Sequence, residues 1–466
     1  MKALTTEDLI ELGGDRVVGE HRPLGPVAID SRALPPDSTF FCIRGPRFDG
    51  HDFAQPAVDA GARVVVCEAN AARRVAATLG GRATVIAVID TVRILGLLAS
   101  RYRTRFHGTV VGVTGSSGKT TTKELIAAVL QTAGSVHKTA GNLNNHLGLP
   151  LTLLGLRPSH TSAVIEMGMS AVGEIAWLAE LARPRFGVIT TVGAAHLQSL
   201  GDVSTVAMAK GELLRALPPN GLGIFPSSVV FPWVLTRGVH SPLMTVGQAP
   251  TDEVRLSGAR EGRQGAVGMV HVDGRRLRLS LRLSGVHNLV NALLAIAVGR
   301  AAGIDPAQAI EALGEVAPPS MRGEVRRLRD GTPVVLDCYN ANPQSMLASV
   351  EAFARKSPHG IAILGDMLEL GPGAAFAHAA IGRAVARLSP HLALIAVGRH
   401  AADMVAAARE GGTLDAVTAP DAEAAAGVLR DRKLEGRPIL LKGSRGMRLE
   451  RVYAALTASS AGEGGH

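Results

Sequence analysis

Residues 112–123 read Gly-Val-Thr-Gly-Ser-Ser-Gly-Lys-Thr-Thr-Thr-Lys and sit directly behind the apolar run Val110–Val113. A buried strand, a glycine turn and then Lys-Thr opening a helix together build a cradle for phosphate. Gly115 and Gly118 let the backbone turn sharply enough for successive N–H groups to point at one anion. Ser116, Ser117 and Thr121 complete the loop. Lys119 can reach the β- and γ-phosphates, and the Thr120 hydroxyl can hold a Mg2+ bridging them. Val113 stands where the eight-residue phosphate-loop pattern has its first glycine. A plain Gly/Ser turn before a helix is the alternative, but Gly-Lys-Thr-Thr after a strand answers several phosphate requirements at once. The chain is expected to bind a nucleoside triphosphate.

The 466 residues suggest about three domains of ordinary size. Hydrophobic residues make up 46%, yet no uninterrupted apolar stretch is long enough to span a bilayer. The opening Met-Lys-Ala-Leu-Thr-Thr-Glu-Asp-Leu-Ile-Glu-Leu carries acids where a secretory signal needs its apolar segment. Cys42, Cys67 and Cys338 are scattered and lie mostly inside apolar runs, so they read as reduced core thiols. A cytoplasmic chain without stable membrane insertion, working as a monomer, is the expectation. The net charge of +9 raises a nucleic-acid hypothesis. Against it, the arginines are spread out, with small knots only at 275–278 and 326–329, and aromatic residues are 3%. That leaves few platforms for stacking bases, so no nucleic-acid partner is expected. Small anionic substrates suit the same charge.

β-rich runs alternate with alanine-rich helical stretches, which predicts an α/β chain of parallel sheets flanked by helices. Residues 1–106 form a smaller N-terminal α/β domain with strands near 27–30, 40–43, 63–68 and 84–89 and a closing helix over 91–105. Residues 107–319 form a central parallel-sheet phosphate-loop ATPase domain, with a hairpin over 268–283 and a helix after His287. Residues 320–466 form a C-terminal doubly wound, Rossmann-like domain with strands at 334–338, 361–365, 392–397 and 438–442 and a helix over 374–388.

Ligand sites in open parallel sheets lie beyond the carboxyl ends of strands. Glu166 emerges from the apolar run Ser162–Ile165 and is placed to coordinate Mg2+; a surface acid is the alternative. His196 follows the run Gly187–Val192, where phosphate or cation contact and a hydrogen-bonded structural role are about even. Asn142, Asn144 and Asn145 make a dense polar loop that suits sugar and amide recognition, though ordinary turns share that composition. Lys210 falls on a predicted helix and, by position alone, reads as a solvated lysine.

These strings, with Glu-Met-Gly-Met-Ser at 166–170, Met-Arg-Gly-Glu at 321–324, Cys-Tyr-Asn-Ala-Asn-Pro at 338–343 and Gly-Asp-Met-Leu-Glu-Leu-Gly at 365–371, resemble the Mur ligases over essentially the whole chain. Phosphate loop, Glu and His are shared with the wider superfamily, folylpolyglutamate synthases included. The 338–343 and 365–371 strings are more discriminating, and point to the branch that joins D-alanyl-D-alanine to UDP-N-acetylmuramoyl-tripeptide. The resemblance implies that the N-terminal domain holds UDP, with Ser31, Arg32 and His51 as contacts, and that Asn142, Asn144 and Asn145 face the nucleotide-sugar. It implies ATP and one Mg2+ on Lys119 and Thr120, and a second Mg2+ on Glu166 and His196. It further implies a lysine carbamate at Lys210 that ligates or orients the cation. Asn288 and Asn291, beside His287, would lie near adenine, Arg322 on phosphate and Asp337 on ribose. Tyr339, Asn340, Asn342 and Lys442 would receive the dipeptide or the peptide end. Relatives often carry two acids before the motif tyrosine, whereas here the run is Leu336-Asp337-Cys338-Tyr339, and no residue is assigned as general base.

The implied reaction is ATP-driven amide formation through an acyl phosphate. Its rivals are a folate-polyglutamylating ligase, a nucleotide-switched binding protein and a nucleic-acid motor.

Overall fold

The computed structural model describes residues 3–262, 264–413, 415–432 and 436–459. Among them the strands form three sheets, each built from a contiguous stretch of chain. The first runs in the order Asp15–Val18, Thr84–Val88, Val64–Glu68, Thr39–Phe41, Val27–Ala28, parallel except for its first strand. Strands covered on both faces need apolar side chains in both directions. Accordingly Phe40, Val65 and Val85 pack with the helix Ala69–Leu79, while Phe41, Val64, Val66 and Ile86 pack with the helix Thr91–Arg103. Asp90 starts the latter helix by accepting from the Arg93 N–H at 2.9 Å.

The second sheet has nine strands in the order Arg275–Ser280, Ala266–Val272, Val254–Glu261, Leu243–Gly247, Leu222–Pro226, Phe186–Ile189, Thr109–Thr114, Ser162–Glu166, Val136–Lys138. The hairpin expected at 268–283 is present, and it extends the parallel part as an antiparallel arm. The arginine knot at 275–278 lies on the outermost strand, where charge blocks edge-to-edge pairing. Helices Lys119–Gln131 and His287–Ala301 cover one face, and Glu174–Ala182 and Val203–Arg215 cover the other.

The third sheet orders Glu324–Arg327, Pro333–Asp337, Ile439–Lys442, Ile361–Gly365, Ala393–Val397 and Ala416–Ala419, parallel but for its first strand, with helices on both faces. Pairing registers decide where chemistry gathers. Val113 is level with both Glu166 and Val188, so the phosphate loop, Glu166 and the segment leading to His196 leave the sheet side by side. Likewise Asp337 is level with Lys442 at the end of the third sheet. All three cysteines are free and buried. Burial raises the Cys67 and Cys338 thiols to about 12 and lifts Cys42 as well. None of the described helices is long and apolar enough to cross a membrane.

Candidate active site

The phosphate loop requires its glycines. Gly115 has φ 156°, and a Cβ there would stand 1.9 Å from Thr190 Oγ1; Gly118 has φ 81°, and its Cβ would meet Asn291 Oδ1 at 3.0 Å. The loop is held from below by the end of the neighbouring strand. Ser116 N donates to the Thr191 carbonyl at 2.9 Å, and Ser117 N donates to Thr191 Oγ1 at 2.9 Å. Lys119 Nζ folds back onto the Gly115 carbonyl at 2.7 Å. Burial pulls its pKa down, the Arg322 charge adds to that and Glu166 opposes it.

Glu166 is 2% exposed. One carboxylate oxygen accepts from Thr120 Oγ1 at 3.0 Å, the other from Asn144 Nδ2 at 2.8 Å, and its N–H donates to Thr139 Oγ1 at 2.9 Å. Behind it lies Lys123, also 2% exposed, whose Nζ donates to the Thr139 carbonyl at 2.6 Å and comes 4.0 Å from Glu166 Oε2. His196 starts a short helix with φ 55° and hydrogen-bonds Glu369 Oε2 through Nδ1 at 2.6 Å. That bond holds the Glu369 carboxyl below its ordinary value.

Lys210 corrects the reading of a solvated lysine. It is 2% exposed, and burial, helped by the nearby Lys119 charge, drives its pKa well below the ordinary value. The helix Val203–Arg215 is buried over Ala209–Leu214 because Glu174–Ala182 and the segment Pro232–Thr236 pack against it.

From the third sheet, Arg322 lies over the Tyr339 ring at 4.2 Å. Lys442 Nζ pairs with Asp337 at 3.0 Å and donates to the Asn340 carbonyl at 2.9 Å, and Ser349 Oγ also donates to Asp337. Asn342 caps the helix Pro343–Lys356 by accepting from Ser345 N at 2.8 Å. Its amide nitrogen reaches the phosphate loop, donating to Ser117 Oγ at 2.9 Å and the Ser116 carbonyl at 3.3 Å. On the opposite rim Lys356 meets Glu261 at 3.0 Å and Ser284 Oγ at 2.9 Å. Asn288 Nδ2 donates to the Ser284 carbonyl at 2.7 Å, and Asn288 Oδ1 accepts from Asn291 Nδ2 at 3.0 Å. Burial pulls the pKa of His287 down.

A cavity of about 900 Å³ opens between these groups. Its wall carries Ser116, Ser117, Gly118, Lys119, Thr120, Thr121, Asn144, Asn145, Glu166, His196 and Lys210. Asn288, Asn291, Arg322, Asp337, Tyr339, Asn340, Asn342 and Lys442 complete it. Gly115 shapes the loop from beneath. Ser31, Arg32, His51 and Asn142 lie off this wall. Arg32 is exposed and grips Asp30 with two N–H groups at 2.9 and 2.7 Å, which holds that carboxyl at about 2. His51 is turned inward: its Nδ1 meets Asp49 at 2.5 Å and its Nε2 accepts from Glu68 N at 2.9 Å, so the ring fastens its own turn. Lys123 and Glu369 escaped the sequence reading. The available signals were a lysine one helical turn beyond Lys119 and an acid inside the 365–371 string.

The described residues contain no group of three or more His, Cys, Asp and Glu side chains able to hold a metal. Mg2+ keeps several waters and takes one or two carboxylates plus phosphate oxygens. Thr120, Glu166 and His196 on one wall fit that demand, whereas an all-protein cage would not form here.

Residues 25–103 match the Mur ligase family catalytic domain, 113–299 the Mur ligase middle domain and 321–445 the Mur ligase glutamate ligase domain. The UDP-N-acetylmuramoyl-tripeptide–D-alanyl-D-alanine ligase of Bacillus subtilis (strain 168) is 35% identical over 438 residues, covering 93% of each chain. The crystal structure of MurF from Acinetobacter baumannii superposes with a TM-score of 0.88 at 27% identity, covering 98% of this chain and 99% of that one. MurF ligase from Thermotoga maritima in complex with ADP gives 0.79 at 27% identity, covering 93% and 97%. With its phosphate loop, its strand-end acid and three matched segments in this order, the chain belongs to the Mur ligase family.

Proposed function

We propose that this chain is an ATP-dependent carboxylate–amine ligase that joins D-alanyl-D-alanine to UDP-N-acetylmuramoyl-tripeptide. The observation that carries the reading is the single cavity shared by the phosphate loop and the 338–343 motif, with Arg322 close enough for its charge to help lower the Lys119 pKa. Two cations facing one space suit a polyanion. A carboxylate is a poor acyl donor because oxide is a poor leaving group. Attack of the peptide carboxylate on the γ-phosphate releases ADP and gives an acyl phosphate. The dipeptide amine then adds to the carbonyl, loses a proton, and phosphate departs.

Lys119 and Arg322 offset charge on the transferred group. Thr120, Glu166 and His196 would hold Mg2+, which would supply further positive charge when bound. Lys210, buried as a neutral amine, is a substrate for CO2, and the carbamate would convert it into an acceptor toward the same cation. Asn340, Asn342 and Lys442 receive the dipeptide, and Asn144 and Asn145 the sugar-peptide. Residues 1–106 would hold UDP through Ser31 and Arg32, with His51 shaping the site from inside. The division at 106/107 and 319/320 belongs to this proposal, as does a cytoplasmic setting.

Phosphate release measured with ATP, Mg2+, UDP-N-acetylmuramoyl-tripeptide and D-alanyl-D-alanine, each omitted in turn, tests it. Release that needs all four, with a pentapeptide product by mass spectrometry, is expected. Turnover indifferent to both peptide substrates would favour the nucleotide-switch reading instead.

A further inference from the structure

We infer that Glu369 is a positioning residue for His196, so that the cation-binding wall of the central unit is complete only when the C-terminal unit is docked. This rests on the reading of His196 as a cation ligand.

The 2.6 Å contact joins His196 Nδ1 to Glu369 Oε2. A carboxylate can only accept, so Nδ1 carries a proton, and the neutral ring in that tautomer presents its lone pair on Nε2. A ligating imidazole is held by a carboxylate on its other nitrogen in just this way, which fixes both tautomer and ring orientation. His196 lies on the cavity wall with Glu166 and Lys210, whereas Glu369 does not line it.

Both partners are set by backbone as well as side chain. His196 has φ 55° and Glu369 has φ 65°, left-handed conformations that are uncommon outside glycine and persist where the surroundings impose them. The Glu369 carbonyl accepts from Gln198 N at 3.2 Å. Gly371 rests against Gln198, where a Cβ would come 3.3 Å from Cα. The segments 196–198 and 369–371 therefore fit each other over several atoms. The Glu369 carboxylate itself remains 60% exposed on its outer side, so the fold does not need it as a core group.

The test is Mn2+ binding to the ADP complex, followed by electron paramagnetic resonance of free Mn2+, in wild type, Glu369→Ala, Glu369→Gln and His196→Ala. Glu369→Ala should weaken Mn2+ binding about 10- to 100-fold, while ADP affinity without metal and the unfolding midpoint stay at wild-type values. Glu369→Gln should fall between, because its amide oxygen still accepts from Nδ1–H. Wild-type Mn2+ affinity in Glu369→Ala, with weakened binding in His196→Ala, would overturn the inference and leave the ligand reading of His196 intact. Unchanged Mn2+ affinity in His196→Ala would remove that reading and the inference with it.

Discussion

Lys210 shows how far a side chain's surroundings can depart from what its own helix suggests. Its ammonium would be buried and face the like charge of Lys119, so the folded protein favours the neutral amine. The unfolded chain then binds more protons than the folded one between the depressed folded pKa and about 10.4, and stability must rise with pH across that window. In CO2-free buffer the urea midpoint of wild type is expected to climb from about pH 8 toward 10.4 more steeply than that of Lys210→Met; parallel slopes would contradict the burial. Bicarbonate should stimulate wild-type turnover, and a short added carboxylate should partly rescue Lys210→Ala. Lys119, Thr120 and Glu166 were legible in the sequence because strand-end rules place them without knowledge of distant contacts. Lys123 and Glu369 were not, since their partners stand at 139, 166 and 196. The inward turn of His51 depends likewise on a backbone N–H at 68.

At the scale of elements, the parallel strands could be read as short β-branched runs, because burial on both faces demands them. The edge strands Asp15–Val18 and Glu324–Arg327 could not, being mostly exposed and charged. Helix ends also borrow from afar. Glu174–Ala182 begins at Gly173, which has no capping side chain; the Glu212 carboxylate takes the N–H groups of Gly173 at 2.7 Å and Ala176 at 2.9 Å instead. Trp177 and Leu178 on that helix line the cavity, so the cap steadies a wall of the site. Glu212→Ala is expected to lower stability by about 0.5–2 kcal/mol, the range for losing a helix cap. Urea denaturation measures it, and a wild-type midpoint would show that the two N–H groups find other partners.

Across the whole molecule, the two junctions between sheets differ. The helix Thr91–Arg103 is tied to the central unit at its end. Tyr102 donates to the Leu156 carbonyl at 3.0 Å, Arg103 donates to Ala182 at 2.8 Å and Arg183 at 3.1 Å, and Gly96 sits close under Trp177 and Leu181. The C-terminal unit meets the central one through polar bridges around the cavity: Asn342 on the phosphate loop, Lys356 on Glu261 and Glu369 on His196. Groups on opposite sides of that cavity must act together, which suits a reaction whose intermediate has to be kept from water. On the proposed reading, one cavity forms an acyl phosphate and then an amide. Tripeptide substrate labelled with ¹⁸O in its terminal carboxylate, turned over with ATP and D-alanyl-D-alanine, tests it directly. The released phosphate should carry one labelled oxygen from that carboxylate. Unlabelled phosphate, with amide still formed, would contradict it.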